Sequence, residues 1–240
     1  MRSAALSLAE VPAAVLAGGR ATRLGPVAEK TPKALLPVAG RPFIDHQLML
    51  LHRRGLRQIV LCVGHRGEQV RAHVGDGKAF GLETRYTFDG ERLLGTGGAL
   101  KRAEPLLGEA FWVIYGDSYV DIDYGAVLAT FTAGSGLGLL TVIENRNRWD
   151  RSNVVYRGGR LLRYDKRVPT PEMTHVDYGV ALLRGAALAR IPAGEPYDLA
   201  DLYSALVAEG QMEGFEVGER FYHIGTPGAL AETEAYLSGR

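Results

Sequence analysis

The stretch Val15–Val38, VLAGGRATRLGPVAEKTPKALLPV, runs from a short apolar segment into Gly18-Gly19. It passes Arg20 and Arg23 and returns through Pro32-Lys33 to a second apolar segment. A short apolar run that stops at glycines reads as a buried strand opening onto a loop. Glycines let the backbone approach an anion and expose its N–H groups, while Arg20, Arg23 and Lys33 add cationic donors. The loop is therefore expected to cradle phosphate. It holds neither the G-x-x-x-x-G-K-[ST] loop nor the G-x-G-x-x-G pattern, so its mode of binding is neither of those.

Outward from this loop, apolar runs alternate with amphipathic segments. PFIDHQLMLLHRRG has helical spacing through Ile44, Leu48 and Leu51 and stops at Gly55. RQIVLCVG reads as a strand, RGEQVRAHVGDG as a short helix and LETRYTF as a strand. GTGGALKRAEPLLG reads as a helix opened by glycines, and AFWVIYGDS as an apolar strand ending in Asp117. This alternation predicts an α/β fold: three layers around a mostly parallel, Rossmann-like sheet. Ligands of such sheets lie beyond the carboxyl ends of the strands, so Gly18-Gly19 and Gly116-Asp117 should face one crevice. After about Leu140 the rhythm changes. NVVYRGGRLLRYDKR predicts a hairpin turning at Gly158-Gly159, MTHVDYGVALLRG a strand and PYDLADLYSALVAEG a helix. A strand or two and a final helix, with Pro227 in its first turn, complete the chain. No linker or repeat divides it, so one domain over 1–240 is expected.

The bulk properties narrow the function. The 240 residues are 46% hydrophobic and 23% charged, with a net charge of +1. No global field draws such a chain to nucleic acid or membrane, and no apolar stretch reaches the ~18 residues of a membrane span. The single cysteine, Cys62, lies in an apolar run and reads as a buried strand thiol. MRSAALSLAEVP is too short and interrupted to read as a signal peptide, so the cytoplasm is the expected compartment.

The residues also carry a resemblance. LAGGRATRL followed by TPKALLPV resembles the signature of the sugar-1-phosphate nucleotidyltransferases, with Ala21 where a third glycine is usual. LGTGGALKRA is similar to the family's base-contacting segment, and VIYGDS to its metal-binding strand end. YDKR resembles its E-K-P, with Asp165 for Glu; HVDYGVALL resembles its N-x-G-V strand, with Asp177 for Asn. FYHIGTPGAL resembles its W-x-D-x-G-T-P segment, with His223 in place of a second metal carboxylate.

The resemblance implies a nucleotide-diphospho-sugar transferase fold, with a nucleotide-binding half over about 1–140. A β-rich sugar-binding half and C-terminal helix would follow over about 141–240. It implies transfer of a nucleotidyl group from a nucleoside triphosphate to a sugar 1-phosphate, with release of pyrophosphate. Arg23, Lys33 and Asp117 would be catalytic. Leu16, Ala17, Gly18, Gly19, Thr96, Gly97 and Gly98 would bind the nucleotide. Asp165, Lys166, Asp177 and Gly179 would bind the sugar phosphate. Asp117 would hold Mg²⁺, or Mn²⁺, with His223 as a second candidate ligand; the preferred reading lets substrate phosphates and water complete the shell, because Mg²⁺ favours oxygen. Within the family the expected pair is GTP with D-glycero-D-manno-heptose 1-phosphate, for surface polysaccharide synthesis. A uridylyltransferase for an amino-sugar or N-acetylmuramic acid 1-phosphate is the first alternative. Asp121-Ile122-Asp123 keeps a metal-binding glycosyltransferase of related fold open, and the departures at Ala21 and His223 keep a nonenzymatic nucleotide-sugar sensor open. A monomer or homodimer is expected.

Overall fold

The computed structural model describes residues 6–20, 22–28 and 31–239. Ala21 lies outside them.

The first apolar run forms strand β1 (Ala13–Leu16). Two more apolar runs form β2 (Gln58–Val63) and β4 (Ala110–Tyr115), and the alternating segment between them forms β3 (Glu83–Phe88). All four are parallel, in the order β3-β2-β1-β4. The chain thus builds outward from β1 on one side, then returns to pair β4 on its other side. That reversal creates a crevice at the carboxyl ends of β1 and β4.

The second half extends the same sheet with strands β5 (Gly138–Glu144), β6 (Val154–Arg157), β7 (Arg160–Tyr164), β8 (His175–Arg184) and β9 (Met212–Glu216). Strand β8 runs antiparallel to β4, β5 and β6; β6 and β7 form the predicted hairpin; and β9 lies parallel to β5. The ladder between β8 and β5 shifts register between Asp177 and Ala181, around Gly179 at φ +86°. A short antiparallel ladder, Ser118–Tyr119 with Tyr222–His223, leaves the main sheet at the mouth of the crevice.

Helices cover both faces: α1 (Phe43–Arg53), α2 (Gly67–Val74), α3 (Gly95–Ala103), α4 (Tyr124–Ala133), α5 (Leu199–Ala208) and α6 (Pro227–Ser238). Alternating side chains of each strand separate two cores. Ala13, Val15, Ile59, Leu61, Trp112 and Ile114 pack with apolar residues of α1, α2 and α4. Ala14, Val60, Cys62, Phe111 and Val113 pack with those of α3 and α5. Because both faces are buried, these strands read as continuous apolar runs. Burial of Cys62 pushes its thiol up to about 12, which fits a core residue and not a nucleophile.

Neither α4 nor β5 is among the elements expected from the sequence. Helix α4 begins in the stretch read as D-x-D, where Asp123 is its N-cap and accepts the Ala126 N–H. Asp121 is held by Arg53 and Arg54. The two acids are thus tied to a helix start and a surface ion-pair group, which overturns their reading as a metal pair. Strand β5 is apolar on both faces and carries no alternation to mark it.

Candidate active site

Beyond the carboxyl ends of β1 and β4 lies a cleft of about 600 Å³. Leu16 and Tyr115 are register partners, so the two strands end level. The Gly116 N–H donates to the Leu16 carbonyl, and a β-carbon on Gly116 would meet that oxygen at 2.7 Å. Glycine is what lets the two loops run side by side. Leu16, Ala17, Gly18, Gly19 and Arg23 line the cleft from the first loop, and Asp117 from the second.

Lys33 reaches Asp117 from the far end of the first loop. Pro32 leads into a single tight turn, Lys33–Leu35, closed by the Leu35 N–H on the Pro32 carbonyl. From that turn the Lys33 ammonium donates to the Asp117 carboxylate in an ion pair. Burial pushes the Asp117 carboxyl up, but Lys33 outweighs it and, with help from Ser118, holds it below the ordinary carboxylate range. The carboxylate stays 31% exposed, so it remains open to a ligand in the cleft.

A second charged pair faces it from the other half. Asp177 on β8 is 2% exposed. Its Oδ2 accepts from the Tyr115 hydroxyl at 3.2 Å and the Tyr164 hydroxyl at 3.0 Å, and pairs with Lys166 Nζ at 3.3 Å. Its Oδ1 accepts the Gly179 N–H at 2.9 Å. Burial and the Asp177 charge keep both tyrosine hydroxyls protonated, so they serve as donors. Lys166 lies 4.9 Å from the centre of the Tyr115 ring and also donates to its hydroxyl at 3.1 Å. Asp177 therefore anchors Lys166 at the cleft wall, its own oxygens already engaged.

His223 also lines the cleft. Burial lowers the imidazole below its usual value, and the Asp117 charge pulls the other way. Its Nδ1 accepts the Gly225 N–H at 3.1 Å. Among the described residues no group of three His, Cys, Asp or Glu side chains converges on one point. The donor set fits a hard cation held by Asp117 alone and completed by phosphate oxygens and water. It does not fit one caged by protein.

A family model described as nucleotidyl transferase matches residues 12–152, more than half of the chain. The chain belongs to the nucleotidyl transferase family.

Within that family it is 31% identical to the N-acetylmuramate alpha-1-phosphate uridylyltransferase of Caulobacter vibrioides, across 94% of this chain and 96% of that protein. It is 28% identical to the UTP–glucose-1-phosphate uridylyltransferase of Synechocystis, across 82% of this chain. The chain spans about half the length of that second relative, 55%. Among solved structures, HddC from Yersinia pseudotuberculosis complexed with GMP-PN superposes with a TM-score of 0.78, covering 94% of this chain and 99% of that one at 19% identity. The likeness establishes the nucleotidyltransferase fold.

The residues singled out in the sequence divide into two groups. Arg23, Lys33, Asp117, Thr96, Lys166, Asp177, Gly179 and His223 all line the cleft with the first-loop residues. Gly97 and Gly98 do not. They are buried against the 195–199 segment: both N–H groups donate to the Tyr197 carbonyl, and a β-carbon on Gly98 would meet the Glu195 carbonyl at 2.6 Å. Their task here is close helix packing, and it is Gly95, Thr96 and Ala99 that reach the cleft. Asp165 also stays outside the cleft lining. It closes its own turn by accepting the Arg167 and Val168 N–H groups, which hold its carboxyl low.

Tyr115, Asp150, Arg151 and Asn153 line the cleft unforeseen. Tyr115 is the last residue of an apolar strand, where a hydroxyl leaves no mark on periodicity. Asn153 accepts the Asp177 N–H at 3.0 Å, a contact between residues 24 positions apart. Only the position of Asn153 at the start of the predicted hairpin was a usable signal.

Proposed function

We propose that this chain transfers a nucleotidyl group from a nucleoside triphosphate to a sugar 1-phosphate, releasing pyrophosphate. The observation that carries the reading is the pair of lysine–aspartate contacts, Lys33–Asp117 and Lys166–Asp177, set on opposite halves of one cleft. Two polyanions must meet in this reaction, and each half offers a fixed cation for one of them.

The reaction needs little proton chemistry. A phosphate monoester loses its second proton near pH ~6, so its oxygen is already a nucleophile. That oxygen forms a bond to the α-phosphorus, and the bond to the bridging oxygen of the β-phosphate breaks. The electron pair leaves with pyrophosphate. The first-loop amides and Arg23 hold the triphosphate. Lys33 shifts from Asp117 to the phosphates and neutralises charge at the reacting centre. Lys166, steadied over Tyr115 and by Asp177, positions the sugar phosphate. Mg²⁺ bound at Asp117 would supply Lewis-acid neutralisation of the phosphate oxygens.

For the substrates, UTP and N-acetylmuramic acid 1-phosphate form the first pair, ahead of the GTP and heptose 1-phosphate expected from the sequence. The support is the uridylyltransferase matched from end to end. Arg151 adds to it, because it lines the cleft from the sugar-binding half, where a cation suits a sugar bearing a carboxylate. The test is pyrophosphate release from UTP, GTP, CTP and dTTP, each with N-acetylmuramic acid, heptose, mannose and glucose 1-phosphates. Release is expected first for UTP with the acidic sugar. Turnover confined to GTP and heptose 1-phosphate would reverse the assignment.

A further inference from the structure

His223 occupies the position where the nucleotidyltransferase pattern places a second metal carboxylate. We propose that in this chain it is a phosphate-binding residue instead, locked as an Nε2–H hydrogen-bond donor and unable to serve as a metal ligand. The inference rests on the nucleotidyl-transfer reading for the identity of the phosphate and on geometry for the donor.

Four contacts, two from its backbone and two from its ring, fix the residue. Its backbone pairs with Ser118 across the short ladder, next to Asp117. Its carbonyl accepts the Thr233 hydroxyl at 2.7 Å, and its ring lies 5.8 Å from the Phe221 ring. The decisive contact is the Gly225 N–H on Nδ1 at 3.1 Å. An N–H can point only at a lone pair, so Nδ1 carries no proton. A neutral imidazole has one N–H, which must then sit on Nε2. Binding metal through Nε2 requires the opposite tautomer, with the proton on Nδ1, where it would collide with the Gly225 N–H. The nitrogen that accepts is already occupied.

His223 lines the cleft, and its Nε2 has no hydrogen-bond partner among the described residues. The charged groups acting on it are Asp117 and Asp150, which favour a proton on the ring, and Lys33 and Arg23, which oppose one. Arg23, Lys33 and the imidazole Nε2–H are all donors. Together they form a shell suited to phosphate oxygens, with Asp117 as the acceptor left for a cation. Gly225 belongs to the device: a β-carbon there would lie 2.8 Å from Nδ1.

Two measurements test this. The first needs no turnover: long-range ¹H–¹⁵N correlation of the full chain labelled with ¹⁵N-histidine, at pH 8, with His223 assigned from the His223→Gln variant. The neutral Nε2–H tautomer is expected in the free protein. It should persist on adding MgUTP, with a downfield shift of the Nε2 proton. An Nδ1–H tautomer, or an Nε2 resonance with the signature of metal coordination, would overturn the proposal whether or not the protein is a transferase. So would an unmoved Nε2 proton when a second sample, labelled with ¹⁵N-glycine, shows the Gly18 and Gly19 amides shifting on the same addition.

The second measurement compares His223→Gln with His223→Glu by pyrophosphate release and by Mn²⁺ affinity in the presence of UTP. Gln can place an N–H near the native Nε2, whereas Glu restores a carboxylate. Gln should stay within several-fold of the wild type, and Glu should lose roughly ten- to hundredfold in kcat/KM, the scale of one hydrogen bond to a charged group. Mn²⁺ affinity should be unchanged in Gln. Better rescue by Glu, or weakened Mn²⁺ binding in Gln, contradicts the proposal. If all proteins including wild type release no pyrophosphate, the transfer reading fails while the tautomer result stands.

Discussion

Asp117 and Lys33 neutralise one another in the free protein, and their pairing sets several measurable properties. Asp117→Asn should keep the fold and lose about a hundredfold or more in kcat, because it removes the carboxylate acceptor that the proposed transfer uses at its reacting centre. Circular dichroism and pyrophosphate release together check this; near-normal turnover would remove Asp117 from the chemistry. Lys33→Ala should lower kcat by about 10²-fold while leaving the KM for sugar phosphate nearly unchanged. The pairing also has a pH signature. The folded pKa of Asp117 lies below its ordinary value, so the folded state binds its proton less readily than the unfolded chain. The resulting stability is present above about pH 4, the unfolded carboxylate value, and is lost as the pH falls through the lower folded value. Urea unfolding from pH 6 down to pH 2.5 should therefore show a steeper loss in wild type than in Asp117→Asn. Parallel curves would contradict the depressed carboxyl.

Among the elements, helix α3 shows how a motif can be legible and its task misread. Its glycines stand out in the sequence, yet Gly97 and Gly98 serve contact with the 195–199 segment, which lies about a hundred residues away. Gly98→Ala should cost about 1–3 kcal/mol of stability, since its β-carbon meets a backbone carbonyl that cannot swing aside. Chemical denaturation reads this, and an unchanged midpoint would show the segment to be yielding. Strands β1, β2 and β4 were legible because each is a short apolar run closed by glycine, and β3 because its residues alternate. Helix α4 and strand β5 were not. The acids before α4 resemble ligands as much as caps, and exposed alanines such as Ala129 and Ala133 blur the buried stripe of Tyr124, Val127, Leu128 and Phe131. In β5 burial on both faces erased the period-two signal.

At the scale of the whole molecule, one sheet brings the two halves of the chain to a common cleft. That Gly18-Gly19 and Gly116-Asp117 face one crevice was foreseeable from two glycine-terminated runs, whereas the reach of Lys33 to Asp117 was not. The Tyr115–Tyr164–Asp177–Lys166 group was not, because it joins β4, β7, the turn after it and β8 through side chains far apart in sequence. Arg151 was also silent, since an arginine in a polar loop is common and only the folded chain sets it on the cleft. Arg151→Ala should raise the KM for a carboxylate-bearing sugar phosphate about tenfold and leave that for a neutral one nearly unchanged, as expected for a lost charged hydrogen bond. Equal effects on both would remove it from sugar selection.

The central claim is that the two lysine–aspartate pairs serve one transfer reaction. Release of pyrophosphate, measured across the matrix of triphosphates and sugar 1-phosphates with wild type and Asp117→Asn side by side, tests it most directly. Release is expected to depend on Mg²⁺, to require both substrates, to be highest with UTP and N-acetylmuramic acid 1-phosphate, and to fall by about a hundredfold or more in the variant. No release with any pair, or release that Asp117→Asn leaves intact, would contradict it.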